Sequence, residues 1–454
     1  MSVGKVHIPV AFIVAPYGAI GEAPQSLEWF KKIESDVKAK LEKLHPFIEF
    51  SYYELSTIDD VNIFLSKEGN AVGFFVFVLQ SLPGLLRPII HSGKPTIIIA
   101  ETYGGSGEYL FEYSRAKEQG YPIIGISTDN VTDDRILNKV KLLETIAKLK
   151  GSRVIFIVGP DVKQYIEGEY PLSADIFSTF RSITALTGII PVIMDVIEFR
   201  EKYYDKVNIE DAVKIAENWI KNAEAVQEPL REEIVKSAKL YIALKNLAHD
   251  LNAAAIAVDC IVLYGSRAKV RYLDAWPCLA YMQLWYDNVI PVCEGDPYSA
   301  VVLLIGKYML NKHGFLNDPG INEIKGEMVY YHCYAPTNPH GSTKPEVPYV
   351  ITTAHLGAKH ASIHVKLPIN EPITVVGFDP EERILTIHRG RAIRTEFSQY
   401  ACATKLIASA NTTKIAEKFR WRLGWHRVVF YGEHAKEFEE LATLLGLKVI
   451  YEDQ

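Results

Sequence analysis

A chain of 454 residues has room for two to three domains. Its 49 Lys+Arg against 55 Asp+Glu leave a formal charge of −6 with no basic block, which argues against a nucleic-acid binder. The five cysteines, Cys260, Cys278, Cys293, Cys333 and Cys402, form no C-x-x-C pair, so the reading is free thiols in a reducing cytoplasm and neither a zinc ribbon nor a disulfide framework.

The apolar run Ile8–Val14 reads as a buried strand and not as a secretory leader. The most apolar window, Val72–Ile90, is broken by Gln80, Pro83, Gly84, Arg87 and Pro88 and is too interrupted to span a bilayer. Over residues 1–150, strand patterns at His7–Ala15, Ile48–Tyr53, Gly73–Val78, Pro95–Ala100 and Pro122–Ser127 alternate with helical ones at Ser26–Leu44, Asp59–Leu65, Leu82–Ile90, Gly107–Glu118 and Asp134–Leu149. This βα repeat predicts a doubly wound, mostly parallel sheet. Glu101–Gly107 is glycine-rich between a strand and a helix but lacks the dinucleotide spacing; it reads equally as a structural turn or as a loop closing over a sugar.

A second βα series over 151–312 pairs strands at Arg153–Val158, Ile190–Met194, Ala255–Leu263 and Val289–Cys293 with helices at Asp175–Thr187, Ile209–Ala223, Pro229–Asn252, Trp276–Asp287 and Ala300–Asn311. From 313 to 454 the texture turns to strands and turns: Met328–Tyr334, Tyr349–Thr353, Ser362–Leu367, Ile373–Asp379 and Arg383–Arg389, then Arg427–Tyr431, a helix Ala435–Leu445 and a strand Lys448–Tyr451. The expected fold is thus α/β, with two doubly wound parallel-sheet domains (1–150 and 151–312) followed by a C-terminal antiparallel, barrel-like domain (313–454).

Cys293-Glu294-Gly295-Asp296-Pro297 places an acid where a buried strand ends and a helix begins, the edge at which open α/β sheets bind ligands. Asp318 follows in Phe315-Leu316-Asn317-Asp318-Pro319, then His332, then His426. Two carboxylates with one or two imidazoles form a hard-to-borderline donor set suited to manganese or a similar divalent cation. Nine of the 13 histidines lie after residue 300, which favours a metal or proton-transfer site there. Asp296 reads as a helix cap, Cys293 and Cys333 as packing residues, and His355, His360 and His364 as scattered.

These segments resemble the L-fucose isomerase and L-arabinose isomerase family of aldose–ketose isomerases. Cys293-Glu294-Gly295-Asp296 resembles its E-(A/G)-D motif and Phe315-Leu316-Asn317-Asp318 its second acidic motif. His332-Cys333 with Ala335-Pro336 resembles its HC–AP turn, and Gly424-Trp425-His426 its closing histidine motif. The resemblance implies Mn2+ held by Glu294, Asp318 and His426, with His332 a further ligand or a neighbour of the ligands. It also implies a small sugar substrate and a homo-oligomer, trimer or hexamer. The chemistry expected is enediol isomerisation with Glu294 and Asp318 as the acid–base pair. Trp425 and Arg427 beside His426, and Val262-Leu263-Tyr264 after Asp259-Cys260-Ile261, depart from the family pattern and bear on sugar specificity. Arg427 motivates an anionic sugar as the alternative substrate. A non-catalytic sugar-binding or regulatory protein is a further alternative.

Overall fold

The computed structural model describes residues 5–15, 23–159, 176–260, 272–353, 360–397 and 401–454. Asp175, Ile261–Tyr264 and His355 lie outside the described residues. The chain forms two compact units, Met1–Lys148 with Glu437–Lys448, and Leu149–Lys436 with Val449–Gln454.

In the first unit, β1 (Val6–Ile13), β2 (Ile48–Leu55), β3 (Phe74–Val78), β4 (Thr96–Glu101) and β5 (Ile123–Thr128) form a sheet ordered β2-β1-β3-β4-β5. Every pairing is parallel. β3 and β4 are buried along their whole length, as the uninterrupted apolar runs of a parallel sheet covered on both faces require. The glycine-rich loop forms a tight turn. Glu101 Oε2 accepts from Tyr103 N at 2.8 Å and Gly104 N at 2.5 Å. A Cβ on Gly105 would stand 1.8 Å from the Val78 carbonyl oxygen, so only glycine lets the following helix start this close to β3.

The second unit opens with β6 (Arg153–Val158), β7 (Ile190–Asp195), β8 (Ala225–Val226), β9 (Ala255–Val258) and β10 (Ile290–Cys293). β10-β9-β6-β7 is again wholly parallel. The helices Cys278–Tyr286 and Pro297–Ile305 pack beside it with nearly every residue buried. Next come β11 (Phe315–Asn322), β12 (Glu327–His332), β13 (Tyr349–Thr353), β14 (Ala361–Val365), β15 (Pro372–Asp379), β16 (Ile384–Glu396), β17 (Thr404–Ser409), β18 (Arg427–Tyr431) and β19 (Lys448–Tyr451).

Six of these strands, β15-β18-β11-β12-β17-β16, close on themselves through β15–β16 into an antiparallel barrel, and β19 adds to β16. Closure is possible because β16 is thirteen residues long. It pairs β15 with its first part and β17 with its last, across a bulge at Ala392/Arg394. β13 and β14 form a small sheet with β8. The barrel encloses a polar chain. Tyr330 donates to His388 Nε2 at 2.9 Å, His388 Nδ1 lies 2.9 Å from Glu452 Oε2, and Arg427 Nη2 donates to Glu452 Oε1 at 3.1 Å.

Candidate metal centre

β10 ends at Cys293, and the next two residues take left-handed backbone, Glu294 at φ 56° and Gly295 at φ 66°. Gly295 N donates to Val258 O at 3.1 Å, which pins the corner to the end of β9. For a glutamate this conformation costs about 1 kcal/mol, and such strain is commonly held at functional sites. Asp296 then starts the helix Pro297–Ile305: its Oδ1 accepts from Tyr298 N at 2.8 Å, and proline follows at the first helical position.

Asp318 lies inside β11 opposite Tyr331, so it is a strand residue despite the proline after it. The β11–β18 ladder runs Phe315↔Val429, Leu316↔Val428, Asn317↔Arg427. One further step of that register sets Asp318 against His426. Pro319 costs no ladder bond on the β18 side, because pairing with β18 has ended there. His332 is the last residue of β12, and its Nδ1 accepts from Cys333 N at 2.9 Å.

These elements bring the four expected residues together. His426 Nε2 lies 3.4 Å from Glu294 Oε2 and 3.5 Å from Asp318 Oδ1, and His332 Nε2 lies 3.7 Å from Glu294 Oε1. Donor atoms of Asp318, His332 and His426 lie within 4.8 Å of one another, as do those of Cys293, Glu294 and His332. Asp296 has a role that sequence reasoning missed: its Oδ2 lies 3.0 Å from His426 Nδ1. One carboxylate therefore caps a helix with one oxygen and orients an imidazole with the other. No local signal announces it, since the partners stand 130 residues apart in the chain.

Held by Asp296 at Nδ1, the neutral imidazole turns an Nε2 lone pair toward two carboxylates. Among the described residues, that buried Nε2 makes no hydrogen bond that meets ordinary geometry; its neighbours are the two carboxylates. Lone pairs facing carboxylate oxygens at this range repel unless a cation or a proton lies among them. Burial alone would lower the His426 pKa, but the hydrogen bond with Asp296 and the Glu294 carboxylate outweigh it and hold it well above the usual value. In the metal-free protein a proton thus takes the place of a cation. The carboxylate–imidazole pair behind the donor is the arrangement that orients metal-binding histidines. The residues fit a hard divalent ion.

Around the centre, burial first and then Cys260 and the Glu294 charge push the Cys293 thiol up. The Cys333 thiol is pushed up by its hydrogen bonds to Cys278 and Cys402 and by burial. Arg427 does not face the cluster. It is fully buried, pairs with Glu452, donates to His426 O at 2.9 Å and Arg420 O at 3.2 Å, and stacks on Phe419 at 4.1 Å. The anionic-sugar alternative loses the residue that motivated it. His360 bonds Glu233 at 2.9 Å in a separate cavity also lined by Lys236 and Asp274, and His364 bonds Ala403 O at 3.0 Å.

No family model and no curated protein matches this chain. Among solved structures, an ABC-transporter solute-binding protein from Burkholderia multivorans, with an unknown ligand interpreted as alpha-D-erythrofuranose, overlaps at 11% identity, covering 56% of this chain and 80% of that one, with a TM-score of 0.19. A chain titled "XylFII molecule" overlaps at 13% identity, covering 67% and 94%, with a TM-score of 0.17. TM-scores this low do not establish a shared fold.

Proposed function

We propose that this chain is a metal-dependent aldose–ketose isomerase that interconverts an open-chain aldose and ketose through an enediol. On this reading Mn2+ or a similar divalent cation is held by Glu294, Asp318 and His426 with His332 beside them, and both parallel sheets are doubly wound. The observation that carries the reading is the meeting of Glu294, Asp318, His332 and His426 around a buried imidazole nitrogen that, among the described residues, has only carboxylates to face.

When bound, the ion would polarise the sugar carbonyl and the neighbouring hydroxyl. The chain's own residues do the rest. Glu294 and Asp318 approach His426 Nε2 from different elements, the β10 corner and β11. One carboxylate takes the proton from the carbon beside the carbonyl, and the pair returns a proton to the other carbon. Asp296 keeps His426 turned toward them, and burial of both imidazoles excludes water that would compete for the donors. The resemblance extends the proposal to a cytoplasmic homo-oligomer, trimer or hexamer; the five buried free thiols suit a reducing compartment.

The test is incubation of the metal-stripped protein with a panel of neutral aldoses in deuterated water, with and without Mn2+, followed by NMR. Ketose carrying deuterium, formed only with the metal, is the expected result. Inertness across the panel, or ketose without deuterium, overturns the reading. Glu294→Gln, loaded with metal, lowers turnover by about 100-fold or more, the size of a lost acid–base group; an unchanged rate removes Glu294 from the chemistry.

A further inference from the structure

Glu294 faces two different donor environments. On one side are Asp318 and His426, oxygen and imidazole only. On the other are His332 and Cys293 Sγ. Behind Cys293 stands Cys260, its Sγ 3.8 Å from Cys293 Sγ, and both thiols are buried. Two thiolates bound at about 2.3 Å to one tetrahedral ion stand about 3.8 Å apart. The thiol pair therefore has this spacing already, fixed by the parallel pairing of Cys293 with Val258, two residues before Cys260. Sulfur donors select zinc-like and softer ions, and oxygen donors select manganese-like ones. His426 Nε2, buried and without a hydrogen-bond partner among the described residues, lies 3.4 Å from the Glu294 carboxylate that both sides share.

We infer that the chain carries a second, thiophilic metal position formed by Cys293, Glu294 and His332, whose donor atoms lie within 4.8 Å of one another, and completed by Cys260 moving in from behind Cys293; it takes a zinc- or cadmium-class ion and excludes a hard ion from the Asp318–His426 side. It rests on the metal-centre reading through the two shared residues, Glu294 and His332. Filling it releases the two thiol protons to solvent and draws Glu294 away from Asp318 and His426. The thiophilic ion is therefore an inhibitor and no substitute for the hard one.

The first probe is Co2+ added to the metal-free full chain and followed by absorption. A thiolate-to-cobalt charge-transfer band is expected. It vanishes in Cys293→Ser, because Cys293 Sγ is the sulfur that lies beside the Glu294 and His332 donors, falls to about half in Cys260→Ser because one of the two thiolates is gone, and persists in Cys402→Ser. Cd2+ added to the Mn2+-loaded protein releases Mn2+ one for one, read as free Mn2+ by EPR. In Cys293→Ser the Cd2+ concentration needed rises at least about tenfold, since a direct ligand matters no less than the supporting partners whose loss costs 10–100-fold. Should Cys293→Ser fail to fold by circular dichroism, the cadmium NMR shift of the wild-type protein counts sulfur ligands without any variant. No binding of Co2+, binding without a thiolate band, a band that survives Cys293→Ser, simultaneous binding of Mn2+ and Cd2+, or a sulfur-free cadmium shift each overturns the inference. None of these readouts needs a sugar. Isomerase activity without the band sinks this inference alone, and the band in a protein inert to every sugar sinks the isomerase reading alone.

Discussion

Asp296 separates what a residue is from what it does. As a cap it needs only a side-chain oxygen for Tyr298 N, which asparagine also supplies. As the partner of His426 Nδ1 it needs a negative oxygen. In Asp296→Asn the amide can present N–H to Nδ1, which moves the imidazole proton to Nε2, the atom that faces the carboxylates. Metal affinity falls 10–100-fold, as is usual for a lost supporting partner, while the melting temperature, measured above the raised His426 pKa where the imidazole is neutral in both proteins, barely moves; calorimetry and metal titration read the two separately. An equal loss of stability would make Asp296 a structural residue only. His426 also gives the pH dependence. Its pKa is raised in the folded, metal-free protein, so the stability it contributes is full below the unfolded value near 6.5 and is lost as pH rises through the folded value. The metal-free protein thus weakens on the alkaline side. A bound cation must displace that proton, so metal affinity falls as pH drops below the raised pKa. Titration of Mn2+ affinity against pH shows this slope, and a flat profile would remove His426 from the ligand set.

Elements differed in how legible they were, and the reasons are physical. β3 and β4 are continuous apolar runs with sharp ends, and the sequence pattern locates them within a residue. Asp134–Leu149 carries one apolar stripe, yet the chain breaks into Asp134–Leu137 and Val140–Leu149, because periodicity does not report a short interruption at Asn138 and Lys139. β17 escaped the pattern because Thr404-Lys405-Leu406-Ile407-Ala408 is buried throughout instead of alternating, as an interior barrel strand can be. Glu294, Asp318, His332 and His426 were legible as residue types, but their meeting depends on strand register, and a register is a pairing between distant segments. The loop at Gly105 gives a test at this scale. A methyl group there would overlap the Val78 carbonyl oxygen. Gly105→Ala therefore destabilises the first unit by about 1–3 kcal/mol, the range for forced overpacking, seen as an earlier urea midpoint. A neutral effect would mean that the helix Ser106–Glu118 can move away from β3 at little cost.

At the largest scale, the second unit is held from within its barrel as well as around the site. Arg427, read in the sequence as a cation that could pair with an anionic substrate, is a fully buried partner of Glu452, the third-last residue of the sequence. A surface arginine and a buried one look alike in sequence; the difference lies in a carboxylate supplied from the last turn of the chain. Burial would raise the Glu452 pKa, but Arg427 and then His388 outweigh it and bring it down to about 2. A depressed carboxylate contributes stability that is present above its unfolded pKa near 4.3 and is lost as pH falls toward the folded value of about 2. Glu452→Gln removes that charge at every pH and leaves Arg427 buried without its counter-ion. The variant should lose about 3–5 kcal/mol at neutral pH, the cost of breaking a buried pair. The gap to wild type should then narrow as pH drops through 4 toward about 2, because the wild-type carboxylate takes up a proton and its own pair weakens. Urea unfolding at several pH values reads both effects. A gap that stays constant across that range would show that Glu452 acts through its shape and not its charge, and that Arg427 is held by the carbonyls of Arg420, Gly424 and His426.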